Sequence, residues 1–82
     1  MSDDIREMLE QHGVTPSFHR MKIYEYLRAH RTHPSADEIH MDIIREIPTL
    51  SKTTVYNTLK LFLEKGLVTA VTRPFSRNSF SV

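Results

Sequence analysis

The sequence predicts an α+β fold, mostly helical: a winged helix-turn-helix with three to four helices followed by a two-stranded β-hairpin wing. Three observations lead there. Apolar residues recur at helical spacing in successive stretches up to residue 64. The last two stretches meet across a short turn at Ile47-Pro48-Thr49. After Gly66 the pattern changes to the alternation of strands.

Each element has its own local signal. Residues 3–12 form the first predicted helix, with Asp3 and Asp4 where a helix N-terminus favours negative charge. Ile5, Met8 and Leu9 give it an apolar stripe, and Gly13 is placed to end it in a left-handed conformation. Ser17 is the expected N-cap of a second helix over 18–30, whose buried face is Ile23, Tyr24 and Leu27 with Met21 or Phe18 flanking. Residues 29–35 connect to Ser35-Ala36-Asp37-Glu38, a capping box in which Ser35 serves the Glu38 amide and Glu38 reaches back to the Ser35 N–H. The third helix is predicted over 36–46, with Ala36, Ile39 and Ile43 inward and Asp37, Asp42 and Glu46 outward. Ser51 caps the fourth, Leu50 and Val55 bracket that cap as a hydrophobic staple, and Gly66 stops the helix. Residues 67–72 and 79–82 then alternate as strands around a turn at 74–78.

Composition removes several classes of function. Eighty-two residues make one small domain, and 39% apolar with 26% charged residues places it among globular chains. The absence of cysteine rules out disulfides, thiolate metal sites and cysteine nucleophiles within these residues. No apolar run approaches the length that spans a bilayer, and the acidic, amphipathic N-terminus is not a signal peptide, so the cytoplasm is the expected compartment. No nucleophile–base pairing or glycine-rich phosphate loop is visible, so an enzyme is not expected.

The stretch that carries a function is 51–64. On a helical wheel Val55, Leu59 and Phe62 share one side, the period of a core face. Lys52, Thr53, Tyr56, Asn57 and Lys60 share another arc, roughly 140° wide, that contains no carboxylate. Two cations, small hydrogen-bonding groups and an aromatic on one arc suit a polyanion with readable edges, namely double-stranded DNA in its major groove. Charge distribution points the same way: residues 1–50 hold six Lys/Arg and nine Asp/Glu, whereas 51–82 hold five Lys/Arg and only Glu64. Arg73 and Arg77 flank the hairpin tip, where a wing meets sugar-phosphate or carries solubilising charge.

The motifs themselves carry a resemblance. HPSADEIH (33–40), Pro48 and LSKTTVYNTLKLFLEKGLV (50–68) resemble the ferric-uptake-regulator family of bacterial metal-dependent repressors. The likeness extends to the peroxide-sensing branch, which also has Asn directly after its TVY triplet. Ser17, Arg20, Ile23 and Leu27 fit the family's second helix, and the similarity covers residues 13–72. It implies a winged-helix DNA-binding domain that reads an AT-rich palindromic operator as part of a homodimer. The recognition helix then maps onto 51–64. Tyr56 matches the tyrosine that the family packs against thymine methyls, and Asn57 stands where many members have arginine. Lys52 and Lys60 are expected on phosphates, as are Ser51, Thr53 and Thr54 through hydroxyls or the helix N-terminus. Arg20 matches a family arginine that lies near the DNA backbone.

Departures from the family pattern qualify these expectations. Full-length members add a C-terminal dimerisation domain with metal sites, so residues 1–82 read as the DNA-binding domain without it. No cofactor is expected in this chain, and a divalent iron, manganese or zinc ion is implied only for a full-length parent. The family's minor-groove Lys or Arg is Thr15 here. His33 matches a regulatory metal ligand, but the family's wing carboxylate aligns with Ser81, a poor ligand, so His33 marks an incomplete site. His12, His19, His30 and His40 have no metal-ligand spacing and are expected at incidental surface or edge positions. The alternative function is a winged-helix protein–protein module, which would be expected to carry apolar or acidic residues at positions 52, 56 and 60.

Overall fold

The computed structural model describes the backbone of residues 2–30, 34–73 and 76–82, and the side chains of 4–30, 34–70 and 79–82. Four helices precede an antiparallel hairpin: α1 (Ser2–Gln11), α2 (Phe18–Ala29), α3 (Ala36–Ile43), α4 (Lys52–Glu64), β1 (Thr69–Arg73) and β2 (Ser76–Ser81). This is the winged helix-turn-helix.

The helix boundaries follow from their caps. The hydroxyls of Ser17, Ser35 and Ser51 accept from the amides of Arg20, Glu38 and Thr54 at the starts of α2, α3 and α4. Gly13 and Gly66 have φ of +76° and +77°. Each allows two bonds that close its helix: Gly13 N–H to Glu10 O with Val14 N–H to Leu9 O, and Gly66 N–H to Leu63 O with Leu67 N–H to Phe62 O. This paired pattern is the Schellman motif, and its apolar partners Leu9, Val14, Phe62 and Leu67 are all buried.

One core collects the inward faces of every helix and the hairpin. It contains Ile5, Leu9, Ile23, Tyr24, Leu27, Ile39, Ile43, Leu50, Val55, Leu59, Phe62, Leu67, Val68 and Phe80. The Tyr24 and Phe62 rings meet edge-to-face with centroids 5.9 Å apart, locking α2 against α4.

Several local expectations are corrected. The α3 helix ends at Ile43, and residues 44–46 continue as turns, with the amides of Glu46 and Ile47 both bonded to the Ile43 carbonyl. The capping box is made in a different way: Glu38 accepts from the Ser35 hydroxyl at 3.3 Å, a side chain–side chain bond. Phe18 is 64% exposed, so the flank of the α2 face falls to Met21, which packs partly buried against the core. In the wing, Leu67 and Val68 are buried in the approach rather than paired, and β2 begins at Ser76, inside the predicted turn. A register shift between Val71 and Arg73 absorbs the difference. Sequence reasoning also missed a bridge from Ser35 to Ser79, with Phe80 N–H donating to Pro34 O at 3.0 Å. This bridge pins the wing to the start of α3.

Candidate nucleic-acid interface

The α4 helix divides into two faces. Val55, Thr58, Leu59 and Phe62 are buried, whereas Lys52, Thr53, Tyr56, Asn57 and Lys60 are exposed. Tyr56 leaves 46% of its surface to solvent, a large share for a tyrosine with no core role. The exposed residues lie on the side that the core leaves bare because the buried set repeats at helical spacing. Ser51 and Thr54 are partly committed: the Ser51 hydroxyl accepts the Thr54 amide at 3.1 Å and lies 2.8 Å from the Thr54 hydroxyl.

Other elements contribute to the same region. Ser17, His19 and Arg20 of the α2 start join Thr54, Asn57, Thr58 and Leu61 of α4 in lining a groove of about 570 Å³. Arg20 therefore lines the same groove as Asn57. Its Nη1 donates to the Thr15 carbonyl at 3.0 Å, which orients the guanidinium from outside α2. His19 and Thr58 are groove residues to which sequence reasoning assigns no role at DNA: Thr58 lies within the 50–68 motif, and His19 is expected at an incidental surface or edge position. Lys52 has a partner within the chain: its Nζ lies 2.5 Å from Oδ1 of Asp37 on α3. Asp37, predicted outward, is only 17% exposed at its side chain.

Arg73 closes β1 and Arg77 is the second residue of β2, while their side chains lie outside the described residues. His33 also lies outside them. Among the described residues, no group of three or more His, Cys, Asp or Glu side chains could hold a metal ion. The Ser81 hydroxyl donates to the Val82 carbonyl at 3.3 Å. The described donor set therefore does not fit a divalent metal.

Three of the other histidines, exposed or partly buried, bond to backbone carbonyls. Ring N–H groups of His12 and His30 donate to the carbonyls of Met8 and Tyr26, at 2.9 and 3.0 Å. His40 bridges to the Leu50 carbonyl at 3.0 Å. A second cleft, of about 360 Å³, lies between α2 and α3 and shares no residue with the α2–α4 groove. Tyr26 donates there to the Asp42 carboxylate. Its phenol is pushed well above the usual range, first by desolvation and then by that bond. Across the same cleft Lys22 pairs with Glu46 at 2.5 Å, which raises its ammonium above its ordinary value.

A family model, the ferric uptake regulator family, matches residues 11–82. The chain belongs to this family. The peroxide-responsive repressor PerR of Staphylococcus aureus is 38% identical over 72 residues, covering 88% of this chain and 49% of that protein. The chain thus spans about half the length of the curated relatives it matches. Among solved structures, the PerR of Streptococcus pyogenes superposes with a TM-score of 0.84 at 27% identity, over 98% of this chain and 55% of its own. The ferric uptake regulator of Vibrio cholerae does so with a TM-score of 0.85 at 27% identity, over 94% and 60%. That Vibrio protein is described as rearranging its DNA-binding domains. No helix among the described residues is long and apolar enough to cross a membrane.

Proposed function

We propose that residues 1–82 act as the sequence-specific DNA-binding domain of a Fur-type, metal-dependent transcriptional repressor. The α4 helix enters the major groove of an AT-rich palindromic operator, and the wing lies along the adjacent backbone. Tyr56 presents its ring to a thymine methyl, and the Asn57 amide pairs with adenine. Lys60, Arg20 and the hydroxyl of Thr53 serve phosphates, as Arg73 and Arg77 do from the wing.

The observation that carries this reading is the division of α4. Val55, Leu59 and Phe62 are taken into the core, and a carboxylate-free set of Thr53, Tyr56, Asn57 and Lys60 remains outside. A helix cradled by α2 and α3 with that surface is the arrangement that reads base edges in other helix-turn-helix proteins. The family and the names of its relatives, repressors and uptake regulators, support the regulatory role.

Homodimerisation and a response to a divalent metal are proposed for a full-length parent protein of this family. A divalent ion would be held by a parent protein, with His33 contributing at most one ligand, and no step depends on it. The proposed compartment is the cytoplasm, where the DNA is.

Mapping amide chemical shifts during titration with an AT-rich palindromic duplex tests the proposal. The largest changes are expected over residues 51–60, at Arg20 and in the wing. Changes confined to the Lys22–Tyr26–Asp42 cleft would refute it.

A further inference from the structure

Four of the five histidines lie among the described residues, and one of the four differs from the rest. His12, His30 and His40 each bond a backbone carbonyl. His19 has no hydrogen bond to any described residue, and its ring meets only the exposed ring of Phe18, edge-to-face with centroids 6.0 Å apart. Yet His19 is half-buried, at the start of α2 in the groove shared with α4. Polar groups taken part-way out of water normally find a partner. This imidazole has both ring nitrogens still to satisfy.

The chemistry of the groove indicates the partner. Its other lining residues are Ser17, Arg20, Thr54, Asn57, Thr58 and Leu61, with no carboxylate among them. Arg20 supplies the only formal charge in that set, and the Thr15 carbonyl orients its guanidinium. No charged group of α1, α3 or α4 lines the groove, so α4 faces His19 with neutral side chains. Lys22, three positions further along α2, is already paired with Glu46 at 2.5 Å. An oxyanion entering here meets one oriented cation and one open imidazole. Its negative charge favours the protonated ring, and histidine is the side chain that ordinarily gains its charge between about pH 8 and pH 5.

We infer that His19 is a further DNA-contact residue: with Arg20 it holds a backbone phosphate beside α4, and it takes up a proton in doing so. The inference rests on the DNA-binding reading above. Affinity then rises as pH falls, because the imidazolium makes a charge-assisted bond and the neutral ring a weaker one. The contact is to the backbone, so random and palindromic duplexes gain alike.

The test is a salt titration of binding by the whole chain at about pH 5.5 and about pH 8. It uses an AT-rich palindrome and a random duplex, and compares the natural sequence with His19→Gln and His19→Arg. The other histidines titrate in all three proteins, so differences between the proteins belong to position 19. At the lower pH the natural chain should show a slope of log K against log salt steeper than that of His19→Gln by about 0.9. Its affinity at low salt should be higher by roughly three- to tenfold on both duplexes. At the higher pH these differences should shrink. His19→Arg should keep the steeper slope at both pH values. Thermal melts of His19→Gln should match the natural chain, since His19 bonds nothing within the fold.

The inference is overturned if the natural chain and His19→Gln share the same slopes at both pH values. It is also overturned if His19→Gln weakens binding to the palindrome alone, which would make His19 a base reader, or if His19→Gln melts well below the natural chain. Lys60→Ala separates this inference from the reading beneath it. If Lys60→Ala flattens the slope while His19→Gln behaves as the natural chain, His19 alone is misassigned. If the natural chain and Lys60→Ala show the same salt-independent binding, the DNA reading falls and takes this inference with it.

Discussion

The ring Nε2–H of His40 donates to the carbonyl of Leu50 at 3.0 Å, tying the last turn of α3 to the residue just before the cap of α4. Leu50 is 4% exposed, so its carbonyl has little access to water as a substitute. This bond, spanning ten positions, fixes the turn of the helix-turn-helix from inside. Removing it with His40→Ala is expected to cost about 1 kcal/mol, with a range of roughly 0.5–3 because the acceptor is left buried. Denaturant unfolding measures the cost. Unchanged stability would show that water replaces the imidazole.

The helix face is tested by its most enclosed leucine. Leu59 is 1% exposed in a core that joins α2, α3 and α4. Leu59→Ala is expected to destabilise by roughly 2–5 kcal/mol through lost burial and a residual cavity. In a domain of this size that is a large share of total stability. A thermal melt of Leu59→Ala matching the natural protein would mean that the assigned face is wrong.

Gly66 offers a backbone test. Its φ of +77° is the left-handed conformation, and a Cβ built there meets no atom within 4 Å. The penalty for Gly66→Ala is therefore conformational rather than steric, on the order of 1–2 kcal/mol. Gly66→Asn should cost less, because Asn tolerates this region. Equal melting of the two variants would contradict the left-handed assignment.

Alkaline pH probes the α2–α3 cleft. Tyr26 is held neutral by burial and by its bond to Asp42, so its folded pKa lies above the unfolded one. A raised pKa stabilises the fold below the unfolded value, near 10, and that contribution disappears as pH climbs through the folded value. Lys22, also raised, acts in the same direction. Stability should therefore fall above about pH 10, and Tyr26→Phe should make that fall shallower. A natural protein whose Tm is flat from neutral pH to pH 11 would contradict it.

Much of this was legible because the signals are local. Ser17, Ser35 and Ser51 each stand at a cap, and Gly13 and Gly66 each stand at a positive φ, because capping involves residues only a few positions apart. The division of α4 follows from periodicity alone. The wing was legible as alternation, yet its ends were not, since the bulge at Val71/Arg73 and the Ser35–Ser79 bridge depend on which strands meet. Long-range pairing also explains the other misses. Nothing near Asp37 in sequence announces Lys52, and nothing near His40 announces Leu50. The α2–α4 groove likewise draws His19 and Thr58 together from segments almost forty residues apart.

Base reading is expected to rest on Tyr56 and Asn57. Tyr56→Ala or Asn57→Ala should cost on the order of 1–3 kcal/mol at a cognate site and little on random sequence. Equal losses on both duplexes would assign these residues to backbone contact instead.

The central claim is that the exposed side of α4 seats a duplex. Binding to an AT-rich palindrome, titrated with salt for the natural chain and for Lys60→Ala, tests it most directly. Affinity is expected to fall linearly in log K against log salt, and Lys60→Ala should weaken binding and flatten that slope by about 0.9. Identical curves for the two proteins, or binding that ignores salt, would contradict the claim.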